Sequence, residues 1–185
     1  DTYRLYVKGT TAKVKWSSSN AKIATVSNGK VTAKKKGTAV IYAKVNGKKY
    51  ACKVTVVTQQ RAYIDTLQRQ INIQRRRYGF NSYDRNPLLQ QAAQKRAKEL
   101  AEKFSHARPN GYSWASAISM RYNFKKASEL TARYYTDPQE VVDAWMSRAS
   151  TKAKIISKRY NEIGVGVYLD EDGFLYYAVI VAVRK

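Results

Sequence analysis

At Gln59 the spacing of apolar residues changes, and that change constrains the fold more than any other feature of the chain. Before it, Val, Ile, Thr and Tyr fall in short runs broken by Gly, Asn and Ser, with no helical period. That is the pattern of half-buried strands. After it, Ile64, Leu67 and Ile71 recur at helical spacing on one face. Two domains are therefore expected: an all-β sandwich over 1–58, then an α+β layered domain over 59–185. Charge changes at the same place. Residues 1–58 hold 13 Lys or Arg against one acid, Asp1, whereas 59–185 hold 22 against 12. The whole 185-residue chain carries a formal charge of +22, enough to set up a positive field over much of its surface.

In the first module, strands are expected at Arg4–Lys8, Lys13–Ser17, Ile23–Val26, Lys30–Ala33, Gly37–Val45 and Lys48–Val57. Asn28-Gly29 and Asn46-Gly47 are two-residue hairpin signals, because both residue types tolerate positive φ. Trp16 is expected between the sheets. The run Lys34-Lys35-Lys36 reads as a solvated turn. Cys52, the only cysteine, sits in an alternating strand pattern and is expected to be a small buried apolar residue. With one cysteine there is no intrachain disulfide.

In the second module, Arg75, Arg76 and Arg77 fall in the last turn of the first helix, where cations complement the dipole. Gly79 is placed to end that helix. Asp84 or Asn86, followed by Pro87, can start the next, with Leu88, Ala92, Ala93, Ala97 and Leu100 as its apolar face. A third helix starts near Asp137-Pro138. Two closing strands, Glu162–Leu169 and Phe174–Arg184, flank the turn Asp170-Glu171-Asp172-Gly173. The longest apolar stretch, Ala178 to Val183, is far short of the ~20 residues a membrane-spanning helix needs, so the chain is not expected to span a membrane. No secretion leader precedes Asp1, and a mature chain or a piece of a longer surface protein both remain open.

Particular residues carry two resemblances. Trp16-Ser17-Ser18-Ser19-Asn20, Ile23-Ala24-Thr25-Val26, Gly29-Lys30-Val31-Thr32-Ala33 and Lys36-Gly37-Thr38-Ala39 resemble the bacterial Ig-like domain of group 2. That resemblance implies a stalk, spacer or adhesion module of a bacterial surface protein. From Gln59 on, Phe104-Ser105-His106-Ala107-Arg108-Pro109-Asn110-Gly111, then Ser128-Glu129-Leu130, then Val141 to Ser147 with Trp145, then Ile163-Gly164-Val165-Gly166-Val167-Tyr168 resemble the CAP superfamily of SCP/PR-1-like secreted domains. This implies an α-β-α sandwich with a cleft on one side.

The CAP resemblance also implies a cleft tetrad of two His and two acids, which suits a divalent metal such as zinc. His106 stands at the first histidine position and Glu129 at the glutamate of the family's Gly-Glu-Asn motif. The second acidic position holds Arg148 and the second histidine position holds Thr151. His106 is the only histidine, so nothing replaces the missing one. Arg repels a cation and Thr is a poor zinc ligand, so no cofactor is expected. The polar residues His106, Glu129, Arg148 and Thr151 are then either a hydrogen-bonded cleft floor or a site for an anionic or sugar ligand.

No phosphate-binding loop, paired-Cys spacing or nucleophile elbow is present. Tyrosines beside cations, as in Arg77-Tyr78, Arg121-Tyr122 and Arg159-Tyr160, support at most non-specific nucleic-acid binding. The expected role is non-catalytic binding or adhesion by a monomer, secreted or at the surface of a Gram-positive bacterium. Its expected partner is an anionic cell-wall polymer, glycan or lipid. The alternative is a cleft hydrolase using His106 and Glu129. Metal analysis of the purified protein should find no stoichiometric zinc; stoichiometric zinc lost on His106→Ala would overturn the reading of Arg148 and Thr151.

Overall fold

A computed structural model describes all residues, 1–185. The chain divides into two compact units, Asp1–Gln59 and Gln60–Lys185.

The first unit is two three-stranded antiparallel sheets. Strands β1 (Thr2–Arg4), β4 (Lys30–Ala33) and β3 (Ala24–Ser27) form one in that order, and β2 (Lys15–Ser18), β5 (Gly37–Val45) and β6 (Lys48–Val56) form the other. Ala24, Val31, Ala39 and Ile41 make the core between them, with Trp16 half-buried against it. Both Asn-Gly pairs sit at the β3–β4 and β5–β6 turns with positive φ at each residue: 46° and 77° for Asn28-Gly29, 49° and 75° for Asn46-Gly47. That matches the twist of a right-handed hairpin.

Two expectations fail here. The first strand is Thr2–Arg4, not Arg4–Lys8, because its partner β4 runs out at the Asn28-Gly29 turn: Arg4 pairs with Lys30, and Leu5 N–H reaches only the Gly29 carbonyl. Cys52 is exposed rather than buried. It pairs with buried Ile41, but β6 is an edge strand whose side chains reach the core only at Val54 and Val56.

The second unit is a three-layer sandwich around a sheet ordered β7 (Asp84–Arg85), β9 (Glu162–Leu169), β10 (Leu175–Arg184), β8 (Phe124–Arg133). β7 pairs parallel to β9 and the other pairs are antiparallel. One face carries Ile163, Val165, Val167, Tyr177, Val179, Val181, Leu130 and Ala132. These pack on Ile64, Leu67 and Ile71 of α1 (Gln59–Arg77), Val141, Val142 and Trp145 of α3 (Pro138–Ser147), and Ile155 of α4 (Ala149–Ile155). The other face meets α2 (Pro87–Glu102) through Leu89, Ala92, Ala93, Ala97 and Leu100.

Local chemistry explains the helix ends. Asn86 caps α2, its Oδ1 accepting from Leu88 and Leu89 N–H, and Asp137 caps α3 by accepting from Gln139 N–H; a proline follows each. Arg75 does more than complement the α1 dipole. It is buried, and its guanidinium donates to the carbonyls of Asn81 (2.6 Å), Ile155 (2.6 Å) and Ser157 (3.0 Å). Burial lowers its pKa from the usual arginine value. β8 and α4 were not anticipated. The β8 run Phe-Lys-Lys-Ala-Ser-Glu-Leu-Thr-Ala-Arg has no two-residue apolar alternation and is rich in helix formers.

Helix and sheet backbones approach closely at Gly164 and Gly166 of β9. A Cβ on either would overlap the α2 backbone, at the Leu89 carbonyl and the Ala93 carbonyl respectively. This approach lets α2 protect the exposed edge of β9. Gln90 and Gln94, one helical turn apart, bond the N–H and C=O of Val165 and Val167, supplying the pairing a neighbouring strand would give. Gly166→Ala should therefore destabilise the protein by about 3 kcal/mol, by overpacking and by pushing Gln94 off the β9 edge. Urea unfolding checks it; a loss under about 0.5 kcal/mol would show that α2 moves away freely.

Candidate functional site

The cleft lies along the free edge of β8. β8 pairs with β10 on one side only, so alternate residues aim N–H and C=O outward. The outward carbonyls of Glu129 and Thr131 are already taken, by Lys154 Nζ (3.0 Å) and Trp145 Nε1 (3.1 Å). The N–H groups of the same residues point the same way without such caps. With β8, Phe104, His106, Trp145, Arg148, Thr151 and Lys154 line a cavity of about 340 Å3.

Because side chains alternate across a strand, Leu130 goes into the apolar core while Glu129 goes to the α2 side. There its side chain is fully buried beside the equally buried Arg96. Arg96 Nε donates to Glu129 Oε1 (2.7 Å), Nη1 to Glu99 Oε2 (2.7 Å) and Nη2 to the Ser105 carbonyl (2.7 Å). Glu99 is held in turn by the Arg108 guanidinium, with Nη2 at 2.8 Å from Oε1, and Arg108 Nη1 reaches Ser116 Oγ at 2.8 Å. The result is one alternating chain, Arg108–Glu99–Arg96–Glu129, ending at His106, whose Nδ1 lies 2.6 Å from Glu129 Oε2. Burial lowers the Arg96 pKa, but its bonds to Glu129 and Glu99 outweigh that and hold it above the usual value. Burial likewise raises the Glu99 pKa, and the bonds from Arg108 and Arg96 outweigh it and hold that carboxyl below the usual range.

The His106 ring is 59% exposed, whereas its partner carboxylate is sealed. With Glu129 a carboxylate, Nδ1–H is the donor of that bond, and Nε2 takes no part in it. Arg148 stands at the junction of α3 and α4, exposed, with no side-chain capping bond. Thr151 is one turn on, and its hydroxyl donates back to the Trp145 carbonyl (2.5 Å), so it fastens α4 to α3. The structure thus brings His106, Glu129, Arg148 and Thr151 around one cavity, with Thr151 turned to the backbone. The sequence reading did not place Glu99, Arg133 or Lys154 at the cleft, and it took Arg96 only as part of the α2 pattern that holds the fold. Arg133 rests on Phe104, its guanidinium 4.5 Å from the ring centroid. Arg96 carried a signal: a charged residue inside the apolar face of α2 needs a buried partner.

Zinc does not fit these residues. One imidazole and one carboxylate are present, the imidazole Nδ1 and both carboxylate oxygens already face each other and Arg96, and the other two positions hold a cation and a hydroxyl bonded to the backbone. No group of three or more His, Cys, Asp or Glu that could hold a metal ion is present.

A three-layer α-β-α unit with its cleft on the free edge of β8 and a His–Glu pair at the floor defines a known class. The chain belongs to the cysteine-rich secretory protein (CAP) family, whose profile matches residues 68–182, and residues 2–56 match the bacterial Ig-like domain (group 2). An uncharacterized Bacillus subtilis (strain 168) protein, YkwD, is 28% identical over 98 residues, covering 51% of this chain and 38% of its own length; the chain thus spans well under half of that relative. An outer surface protein of Borrelia burgdorferi superposes with a TM-score of 0.63 at 22% identity, over 69% of this chain and 97% of its own. An extracellular SCP-domain protein of Bacillus anthracis gives 0.60 at 18%, over 74% and 47%. At these identities the likeness is one of fold.

Arg96→Met should cost about 3–5 kcal/mol, because it leaves the buried Glu129 carboxylate without its guanidinium and with only His106 beside it. Arg96→Met with Glu129→Leu should recover much of that loss, and a double mutant no better than the single would show that the pair is not coupled. Glu99 also gives a pH dependence. The stability it contributes is complete above its unfolded pKa of about 4.3 and is lost as pH falls through the lower folded value. Glu99→Gln should flatten the acid limb of the stability curve, measured by denaturant unfolding from neutral to acid pH.

Proposed function

We propose that this is a secreted or surface-held protein of a Gram-positive bacterium that works by binding, with an anionic glycan or lipid headgroup in the CAP cleft. The charge balance of the cleft supports this most directly. Its one carboxylate, Glu129, is committed to Arg96 and His106, while Arg133, Arg148 and Lys154 line the same cavity. The edge of β8 adds to it: carbonyls are capped and amides are not, which favours a ligand made of acceptors over an added peptide strand. The Ig-like domain, the extracellular and outer-surface relatives, and the absence of any helix long and apolar enough to cross a membrane fit this location. The +22 charge supplies long-range attraction, screened over about 8 Å at physiological salt.

Binding to purified cell-wall glycan and to anionic lipid vesicles should weaken as salt rises. Arg148→Ala should weaken the cleft ligand about tenfold, a loss of ~1.4 kcal/mol. Affinity unchanged by Arg148→Ala would exclude the cleft as the site. A hydrolase is the second reading, favoured by one observation: His106 Nδ1 is fixed by Glu129 while the ring stays exposed, the geometry of an oriented general base. Turnover of a glycan, lipid or peptide that disappears in both His106→Ala and Glu129→Gln would establish it.

A further inference from the structure

The outer face of the sheet β2-β5-β6 is a surface of lysines. Its register sets Lys15, Lys44 and Lys49 directly opposite one another across three strands. On the same face Lys53 pairs with Val40. All four lysines are exposed. Neighbouring strands lie about 4.8 Å apart, so the row of three spans roughly 10 Å. Like charges placed directly opposite destabilise a sheet. No carboxylate in this unit is placed to pair with them: Asp1 is its only acid and stands just before β1, in the other sheet. Folding by itself disfavours this arrangement, and a bound polyanion would reverse the sign of its energy.

The chemistry of the face narrows the partner. Its cations are all lysines, which meet phosphate as point charges; it has no guanidinium to grip carboxylates with two parallel bonds. Its one aromatic ring, Tyr42, is covered by the Lys49 ammonium, 3.8 Å from the ring centroid. Trp16 packs toward the core instead. So no free ring is offered for stacking a base or a sugar. Ser17 and Ala51 flank Tyr42 and keep the surface low, and Thr38 and Thr55 add hydroxyls at one end.

We propose that this face docks a linear phosphodiester polymer without bases, lying across the Lys15–Lys44–Lys49 row. This contact is separate from the CAP cleft and stands whether or not the cleft binds a ligand.

The probe is synthetic poly(glycerol phosphate), titrated against the full chain over a range of salt. Replacing Lys15, Lys44, Lys49 and Lys53 by Gln should weaken binding at least about tenfold and lower the slope of log K against log salt by about 3. Replacing Lys22, Lys34, Lys35 and Lys36 by Gln removes the same charge from elsewhere in the unit and should cost no more than about threefold. The milder pair Lys15→Gln with Lys53→Gln should fall between. The face variant should also melt no lower than the unsubstituted protein, because a like-charge row has been removed. Equal losses in the two four-residue variants, no binding by the unsubstituted protein, tighter binding of single-stranded DNA or heparin than of the phosphate polymer, or a face variant that melts well below the rest would each overturn the proposal.

Discussion

The buried Arg96 guanidinium is the constraint on which the CAP unit turns. It is fully enclosed, so its charge has to be met within the fold. Three elements meet it: α2 through Glu99, β8 through Glu129, and the loop after α2 through the Ser105 carbonyl. A buried pair of this kind is weak evidence for stability, since a well-packed apolar replacement can do as well. Its better-supported effect is on geometry. It ties the edge strand β8 to α2 and sets the carboxylate that holds His106 at the cleft floor.

From that anchor the cleft follows as the remainder of an edge. β9 has its outer edge closed by Gln90 and Gln94, which is possible because Gly164 and Gly166 let α2 lie against it. β8, at the opposite side of the sheet, is closed only in part, by Lys154 and Trp145 on its carbonyls. One edge is sealed for stability, and the other is left partly open and lined with cations. The same chain that seals Glu129 also removes it from any negative contribution to the cavity. This is how a pocket that contains a glutamate is left lined by cations that no carboxylate pairs with.

The two units share one feature, a positive surface without matching acids, but build it differently. In the CAP cleft the cations come from separate elements, with Arg133 stacked on Phe104 and Arg148 at a helix junction. In the Ig-like unit they come from strand register alone. Lysines scattered through the sequence become a row because β2, β5 and β6 pair with Lys15, Lys44 and Lys49 on one line. Field strength follows from composition, and the place where it is concentrated follows from pairing.

Much of this was legible in the sequence where the signal is local. Asn-Gly pairs demand positive φ, Asn86-Pro87 and Asp137-Pro138 announce helix starts, and apolar period separates strand from helix; each acts within a few residues of its cause. The CAP resemblance also set Arg148 and Thr151 at the positions where it implies metal ligands. Long-range contacts were not legible. β8 is a strand because β10 pairs with it, against its own composition. Cys52 is exposed because β6 is an edge, although its alternation matches a buried strand. Arg96 finds Glu129 thirty-three positions away, and only folding brings the two within 2.7 Å. Local backbone preference could be read from neighbouring residues, whereas burial, register and the charge of the cleft depended on which distant segments the tertiary structure placed side by side.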